Sequence, residues 1–331
     1  MKSLSLSVCL VSAMALFSLA QVKSDEPGTA TRLASEPMLG KAPGDVRDDN
    51  ILKMKLVWCP AGFLTMEQVH VVEEPVVKKV DKADDDDVDP KDEPAPQRRQ
   101  TEIITPVKVF LTQGYWLGKY EVTQAEWKQV MASEPWKGDR FTKEGGDFPA
   151  TFVSWNDAVD FCRKLTEQER QAGRLPKDWE YTLPTEAQWE RACRARTETR
   201  FSFGDDASHL GEYAWFVDNT LTNGENFAHR VGQKKANSWG FYDMHGNVWE
   251  WCRDNYTENL PGQRDPEVKS DAKTEEAPRR VLRGGGWRYM AAFCRSGSRY
   301  MNQPIGRVDY YGFRVALTAV VPADAPRTID K

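Results

Sequence analysis

Residues Gly240 to Cys252 read GFYDMHGNVWEWC. Two carboxylates, Asp243 and Glu250, stand in a stretch rich in aromatic and small residues, and Glu250 is held between Trp249 and Trp251. Flanking indoles draw such a segment into a core, where an unpaired carboxylate is costly to bury. A cation resolves that conflict. So does an ion pair with an arginine such as Arg253 or Arg283, and from the residues alone both remedies stand open.

Upstream of this stretch, three helix starts share one grammar. Thr123 is followed by Glu126 and by apolar Trp127, Val130 and Met131. Ser154 is followed by Asp157 and by Ala158, Val159, Phe161, Cys162 and Leu165. Thr185, directly after Pro184, is followed by Gln188, Trp189 and Ala192. In each, the hydroxyl satisfies an orphan backbone amide and the residue three positions on reaches back to the cap. Asp157 is shorter than the usual Glu or Gln. Strand signals are sparser. The apolar segment from Leu52 to Met66 reads as a first strand ended by Pro60 and Gly62. Val107, Val109 and Leu111 alternate, Gln113 and Gly114 interrupt, and Tyr115 and Leu117 resume the same parity. From Arg200 onward, Gly, Asn and aromatics dominate with little long periodicity, so compactness there comes from loops packed by aromatic rings.

Hydrophobic residues make up 40% of the chain and aromatics 11%, which suits a packed globule. The formal charge of −5 and the lack of a long basic stripe exclude nucleic acid as the expected partner. Lys2, the apolar run from Leu4 to Leu19 and the small-x-small triplet Ser18-Leu19-Ala20 read as a signal peptide over residues 1–20. The run is short for a membrane span, so no transmembrane segment is expected after its removal, and the protein is expected to be exported, whether periplasmic, cell-surface or secreted. Residues 21–52 read as a flexible lead-in and 321–331 as a tail. Asp84 to Asp87 are consecutive, with Asp81, Asp89, Asp92, Glu93 and three prolines around them, which marks residues 81–100 as a solvated, disordered insertion. Without the leader five cysteines remain: Cys59, Cys162, Cys193, Cys252 and Cys294. An odd number leaves at least one unpaired within the chain. No two are spaced as CxxC, and the four histidines are scattered, so neither a zinc site nor a three-histidine metal site is expected. No GxSxG elbow occurs.

Eight motifs follow one another along the chain: GYWLGKYEVTQAEW (Gly114 to Trp127), Pro149 with VSWNDAVDFC (Val153 to Cys162), LPTEAQWERACRA (Leu183 to Ala195), FSFGDD (Phe201 to Asp206), GFYDMHGNVWEWC, RVLRGGGW (Arg280 to Trp287), CRSGSR (Cys294 to Arg299) and GFRVAL (Gly312 to Leu317). In this order they resemble the formylglycine-generating enzyme, or sulfatase-modifying factor, family, over roughly residues 53–320. The resemblance implies an α+β fold, a variant of the C-type-lectin fold, with short helices and much irregular structure.

Family enzymes oxidise a sulfatase cysteine with copper and dioxygen, and hold the copper with two cysteines placed just after a Gly-Gly-Ser. Soft thiolates select Cu(I). Here that triplet is Gly284-Gly285-Gly286, and Trp287 to Phe293 read WRYMAAF, without a thiol and over a shortened loop. Copper is therefore not expected. The resemblance further implies a Cys193–Cys294 disulfide, an unpaired Cys162 (its usual partner position is Val315), and a structural calcium bound by Asp243, Gly246, Val248 and Glu250, partly through carbonyls. Cys59 and Cys252 remain either a pair or two small buried hydrophobes. The family's other calcium site has no match, because Trp215 and Phe216 replace its first ligands. Of the C-terminal arginines, Arg295, Arg299 and Arg314 are expected to neutralise buried carboxylates such as Glu186, Glu190 and Glu250. The altered loop, Trp287, Arg288 and Tyr289, is the candidate cleft. The leading expectation is a binding module for a protein, peptide or glycan. A formylglycine-generating oxidase and a structural part of a cell-surface assembly are the alternatives.

Overall fold

The computed structural model describes residues 38–75, 98–269 and 278–320. The reading of a signal peptide, most of the acidic insertion and the tail lie outside the described residues.

The strands are β1 (Val46–Arg47), β2 (Leu56–Cys59), β3 (Gly62–Pro75), β4 (Arg98–Leu111), β5 (Tyr115–Gly118), β6 (Trp179–Thr182), β7 (Trp249–Asn255), β8 (Gln263–Arg264), β9 (Arg280–Arg283), β10 (Arg299–Asn302), β11 (Tyr311–Gly312) and β12 (Ala316–Ala319), with helices α1 (Gln124–Met131), α2 (Trp155–Gln171) and α3 (Glu186–Arg194). They form a five-stranded sheet in the order β1-β2-β5-β12-β6, a four-stranded sheet β10-β9-β7-β11, and a three-stranded sheet β3-β4-β8. The result is the mixed α and β fold with short helices that the motifs imply. Among the described residues no helix is long and apolar enough to cross a membrane.

All three capping boxes close. Thr123 Oγ1 accepts from the Glu126 amide while Glu126 accepts from the Thr123 amide at 2.8 Å. Asp157, despite its shorter side chain, takes the Ser154 amide at 2.8 Å, and Gln188 takes that of Thr185 at 2.9 Å. The buried face of α2 is Ala158, Phe161, Cys162 and Leu165, the 3–4 spacing of a helix lying on a core. Its Phe161 ring stacks on Trp127 at 5.7 Å and meets Phe313 edge-on at 5.3 Å. One core collects these rings with Trp58, Trp116, Trp179, Trp249 and Trp251. A second lies around Trp189, Phe241, Cys193 and Cys252.

Three boundaries differ from the sequence reading. The first strand ends before Pro60, as read, but it starts only at Leu56, and the apolar stretch beyond Gly62 belongs to a second strand, β3, because Pro60 and Gly62 turn the chain. The turn is clasped by Arg191, whose guanidinium donates to the carbonyls of Pro60 (2.9 Å), Ala61 (3.0 Å) and Phe63 (2.6 Å). The lead-in is structured from Met38 onward: Met38 is buried, its carbonyl accepts from Trp116 Nε1 at 2.7 Å, and β1 pairs with β2. Its composition is polar, but its backbone is spent on the sheet edge. Finally, β4 already begins at Arg98, inside the span read as insertion, because β3 offers it a fourteen-residue antiparallel partner.

Candidate functional site

The segment after β9 turns sharply. Gly284 and Gly285 sit at φ +98° and +83°, and a Cβ on Gly285 would stand 2.7 Å from Cys294 Sγ and 2.9 Å from the Phe293 carbonyl. Only glycine fits there. The candidate-cleft residues that follow do not share one environment. Trp287 is 1% exposed and packs with Ala228, Val248, Phe141 and Tyr310, so it is floor rather than lining. Its amide donates to the Asn247 carbonyl at 2.8 Å. Arg288 is exposed, with its guanidinium over Tyr310 (5.2 Å) and Trp287 (5.5 Å) and 3.9 Å from Asp309. Tyr289 is half-buried. Its ring meets Trp249, Tyr310 and Phe293 edge-on at 5.5, 5.4 and 5.6 Å. Burial and the neighbouring tyrosines push its hydroxyl well above the usual phenol range. Met290 is 62% exposed and Phe293 38%. The loop therefore presents a partly exposed aromatic surface with one mobile-length cation, Arg288, at its rim.

No thiol reaches this surface. All five described cysteines are free and buried. Burial raises every one of them: Cys59, Cys193 and Cys294 to about 12, and Cys162 and Cys252 likewise upward. The donor set for copper that the family motif implies is absent, and the residues in its place do not fit Cu(I). The implied Cys193–Cys294 bond is not formed. Cys193 belongs to the core around Trp189 and Cys294 to a smaller cluster with Phe201 and Leu210, and His245 contacts both segments. Its Nε2 lies 3.9 Å from Cys193 Sγ, and its Nδ1 is 2.7 Å from the Cys294 carbonyl. Cys162 is free as expected. Cys59 and Cys252 are likewise free and buried, the small-hydrophobe reading.

The four residues implied as calcium ligands divide into two charge environments. Glu250 is fully buried and already neutralised: Arg314 Nε and Nη2 lie 2.6 Å from its two oxygens, and Trp189 Nε1 donates to it at 2.8 Å. The arginine remedy is thus realised, by Arg314 and not by Arg253 or Arg283. Arg253 pairs with Glu267, and Arg283 with Glu186 and Glu190. Gly246 is needed for a close approach, since a Cβ would stand 2.2 Å from the Trp215 carbonyl. Val248 is buried against Gly312 and Trp287. Asp243 is buried without an arginine hydrogen bond of its own, and burial raises its carboxyl to about 6. Glu250 is already neutralised by Arg314 and would bring a calcium ion no uncompensated charge, so of the four implied residues Asp243 is the one whose carboxyl has no arginine beside it in hydrogen-bond contact. Arg299 grips Glu186 in a fork at 2.6 and 2.8 Å, the neutralising role expected of it. Arg295 Nε donates to the Ala292 carbonyl at 2.9 Å.

Sequence reasoning missed Glu121, which is 1% exposed beside Asp243. A signal was available: Glu121 lies between Tyr120 and Val122 in the first motif, the same aromatic-and-apolar setting that drew attention to Glu250.

With this geometry in hand, the comparisons decide the family. A family model described as "Sulfatase-modifying factor enzyme 1-like domain" matches residues 47–319. The chain belongs to this family. Among its relatives, "Chaperone protein LppX" of Paenibacillus barcinonensis is 29% identical over 52% of this chain and 69% of its own length. The formylglycine-generating enzymes of Thermomonospora curvata and Bos taurus are 28% and 29% identical over 59% of this chain. The match spans only 65% and 54% of those two proteins. Among solved structures, PvdO from Pseudomonas aeruginosa is 26% identical with a TM-score of 0.60, covering 84% of this chain and 99% of its own. Treponema denticola variable protein 1 is 25% identical with a TM-score of 0.56, over 82% and 98%. The fold of this sulfatase-modifying-factor domain is therefore shared across nearly the whole length of both proteins.

Proposed function

We propose that this chain is an exported sulfatase-modifying-factor-like binding module, which engages a protein, peptide or glycan through the surface of Arg288, Tyr289 and Phe293 and does not generate formylglycine. One observation carries this reading. The loop from Trp287 to Phe293 contains no thiol, and every described thiol lies buried with its proton held more tightly than in water. The thiolate is the copper ligand and the redox-active form, so a chain without an accessible one lacks the means for the family's oxidation. What replaces the cysteines is a set of tyrosine and phenylalanine rings with an arginine at the rim, the residue types that dominate binding surfaces. The relative named as a chaperone is consistent with a binding role in this family.

The test is Cu(I) titration of purified, reduced protein, then incubation with a cysteine peptide under dioxygen. Neither copper uptake nor formylglycine product is expected. Tight copper binding with turnover would sink the reading and restore the oxidase.

A further inference from the structure

The charged pair at the rim of the aromatic surface is not closed. Asp309 is 7% exposed, and its Oδ2 is buried without a hydrogen-bond partner. Arg288 Nη1 stops 3.9 Å from that oxygen, beyond hydrogen-bond reach, although the arginine side chain is 43% exposed. Its guanidinium rests over the Tyr310 and Trp287 rings instead. Burial, with Asp139 nearby, raises the Asp309 carboxyl above its ordinary value, and Arg288 only partly offsets this. A desolvated acceptor without a donor is costly until a further group supplies one.

The neighbouring phenols carry spare capacity of both kinds. The Tyr289 hydroxyl faces that of Tyr310, and the Tyr311 hydroxyl faces that of Tyr300 while accepting from Asn302 Nδ2 at 2.7 Å. Each hydroxyl brings one donor and two lone pairs, so the contact with Asn302 and one bond within each facing pair leave protons and lone pairs over. The surface thus offers an orphan acceptor, a cation and several two-way hydroxyls, set among the partly exposed rings of Tyr289 and Phe293. Arg288 and Asp309 carry opposite charges, which favours neither an anionic nor a cationic ligand. A ligand hydroxyl serves each of these sites, because it donates and accepts at the same atom.

We infer that the ligand of this surface is a neutral glycan, and that two adjacent hydroxyls of one pyranose unit join the open pair, one donating to Asp309 Oδ2 and the next accepting from the Arg288 guanidinium. The inserted oxygens need more room than 3.9 Å, and a rotamer change of the exposed Arg288 side chain supplies it. The C–H face of the sugar covers the Tyr289 and Phe293 rings. The inference rests on the binding-module reading and names its ligand class.

The experiment is saturation-transfer NMR on the whole protein in the presence of a chelator, with maltohexaose, cellohexaose, mannohexaose and the methyl glycosides of glucose, galactose and mannose as probes. Transfer from aromatic protons to at least one of these sugars is expected. Arg288→Ala and Asp309→Asn are each expected to weaken that sugar's binding by about fivefold or more, because each removes a charge-assisted hydrogen bond. Arg288 is exposed, so its variant carries the test even if Asp309→Asn fails to fold. No transfer to any of the sugars overturns the inference, as does a sugar that Arg288→Ala binds as well as the parent does. Peptides selected from a random heptapeptide library by the parent but not by Arg288→Ala, with no sugar bound, would also overturn it while keeping the binding module. Formylglycine product in the copper assay would sink the binding module itself.

Discussion

Arg314 and Glu250 meet fork to fork in the core, with two contacts of 2.6 Å and no exposed surface on either side chain. Removing one member of such a pair strands the other. Arg314→Met is therefore expected to cost about 3–5 kcal/mol, read as the shift in the urea midpoint at constant slope. Arg314→Lys is expected to recover little of it, because an ammonium does not present two parallel donors. A loss below ~1 kcal/mol for Arg314→Met would mean the pair contributes no more than an exposed one.

Floor and rim of the aromatic surface separate by mutation. Trp287→Ala empties a buried site and is expected to destabilise by about 3–5 kcal/mol. Arg288 is exposed, and Arg288→Ala is expected to change stability by no more than ~0.5 kcal/mol. If the proposed binding surface is correct, Arg288→Ala weakens capture of the ligand while the melting curve stays put. Equal binding by the variant and the parent, for any ligand found, would remove Arg288 from the surface.

Thiol labelling reports burial directly. Cys59, Cys162, Cys193, Cys252 and Cys294 are expected to resist alkylation in the folded protein and all to react once it is unfolded without reductant. Mass spectrometry counts the adducts. Three reactive thiols among these five, with Cys193 and Cys294 spared, would show that this pair closes after all.

Two buried groups tilt the stability in opposite directions with pH. Asp254 accepts from the amides of Glu186 and Val268, yet burial, with Glu186 and Glu267 nearby, raises its carboxyl to about 7. The native state then holds a proton that the unfolded chain releases near 3.8, so this contribution is full below that value and is lost as the pH climbs to about 7. His245 is the reverse. Burial lowers it to about 4, and its Nε2 accepts the Ser202 amide at 3.2 Å, so the ring is held neutral. Its contribution is lost as the pH falls from 6.5 to about 4. Asp254→Asn is expected to remove the decline between pH 4 and 7 from the melting-temperature profile and to leave the acid branch in place. An unchanged profile would show that Asp254 ionises normally in the fold.

What was legible in the sequence was local. The helix caps are each written within four consecutive positions, and Thr123, Ser154 and Thr185 all closed as spelled. The order of motifs carried the fold, because each marks a turn or a core position that the chain needs wherever its loops go. The partner of a charge was not legible. Glu250 announced that it needed compensation, but Arg253 and Arg283 are nearer in sequence than Arg314, which arrives across 64 residues because β11 lies parallel beside β7 and carries the GFR segment with it. Glu121 escaped notice for the same reason. Its neighbour Asp243 is 122 positions away, and no periodicity encodes such a meeting. The lead-in was misread because its backbone, rather than its side chains, does the pairing.

The five-stranded sheet has one more consequence. β12 lies between β5 and β6, and β5 in turn joins it to β2, so residues 316–319 sit at the seam of strands that precede them by some 130 to 260 positions. Such a sheet has no stable partial form: until its last-made strand arrives, β5 and β6 each keep a bare edge. This sheet thus cannot close before Ala316 to Ala319 have been made, and a truncation ahead of Ala316 would not shorten the domain but prevent it.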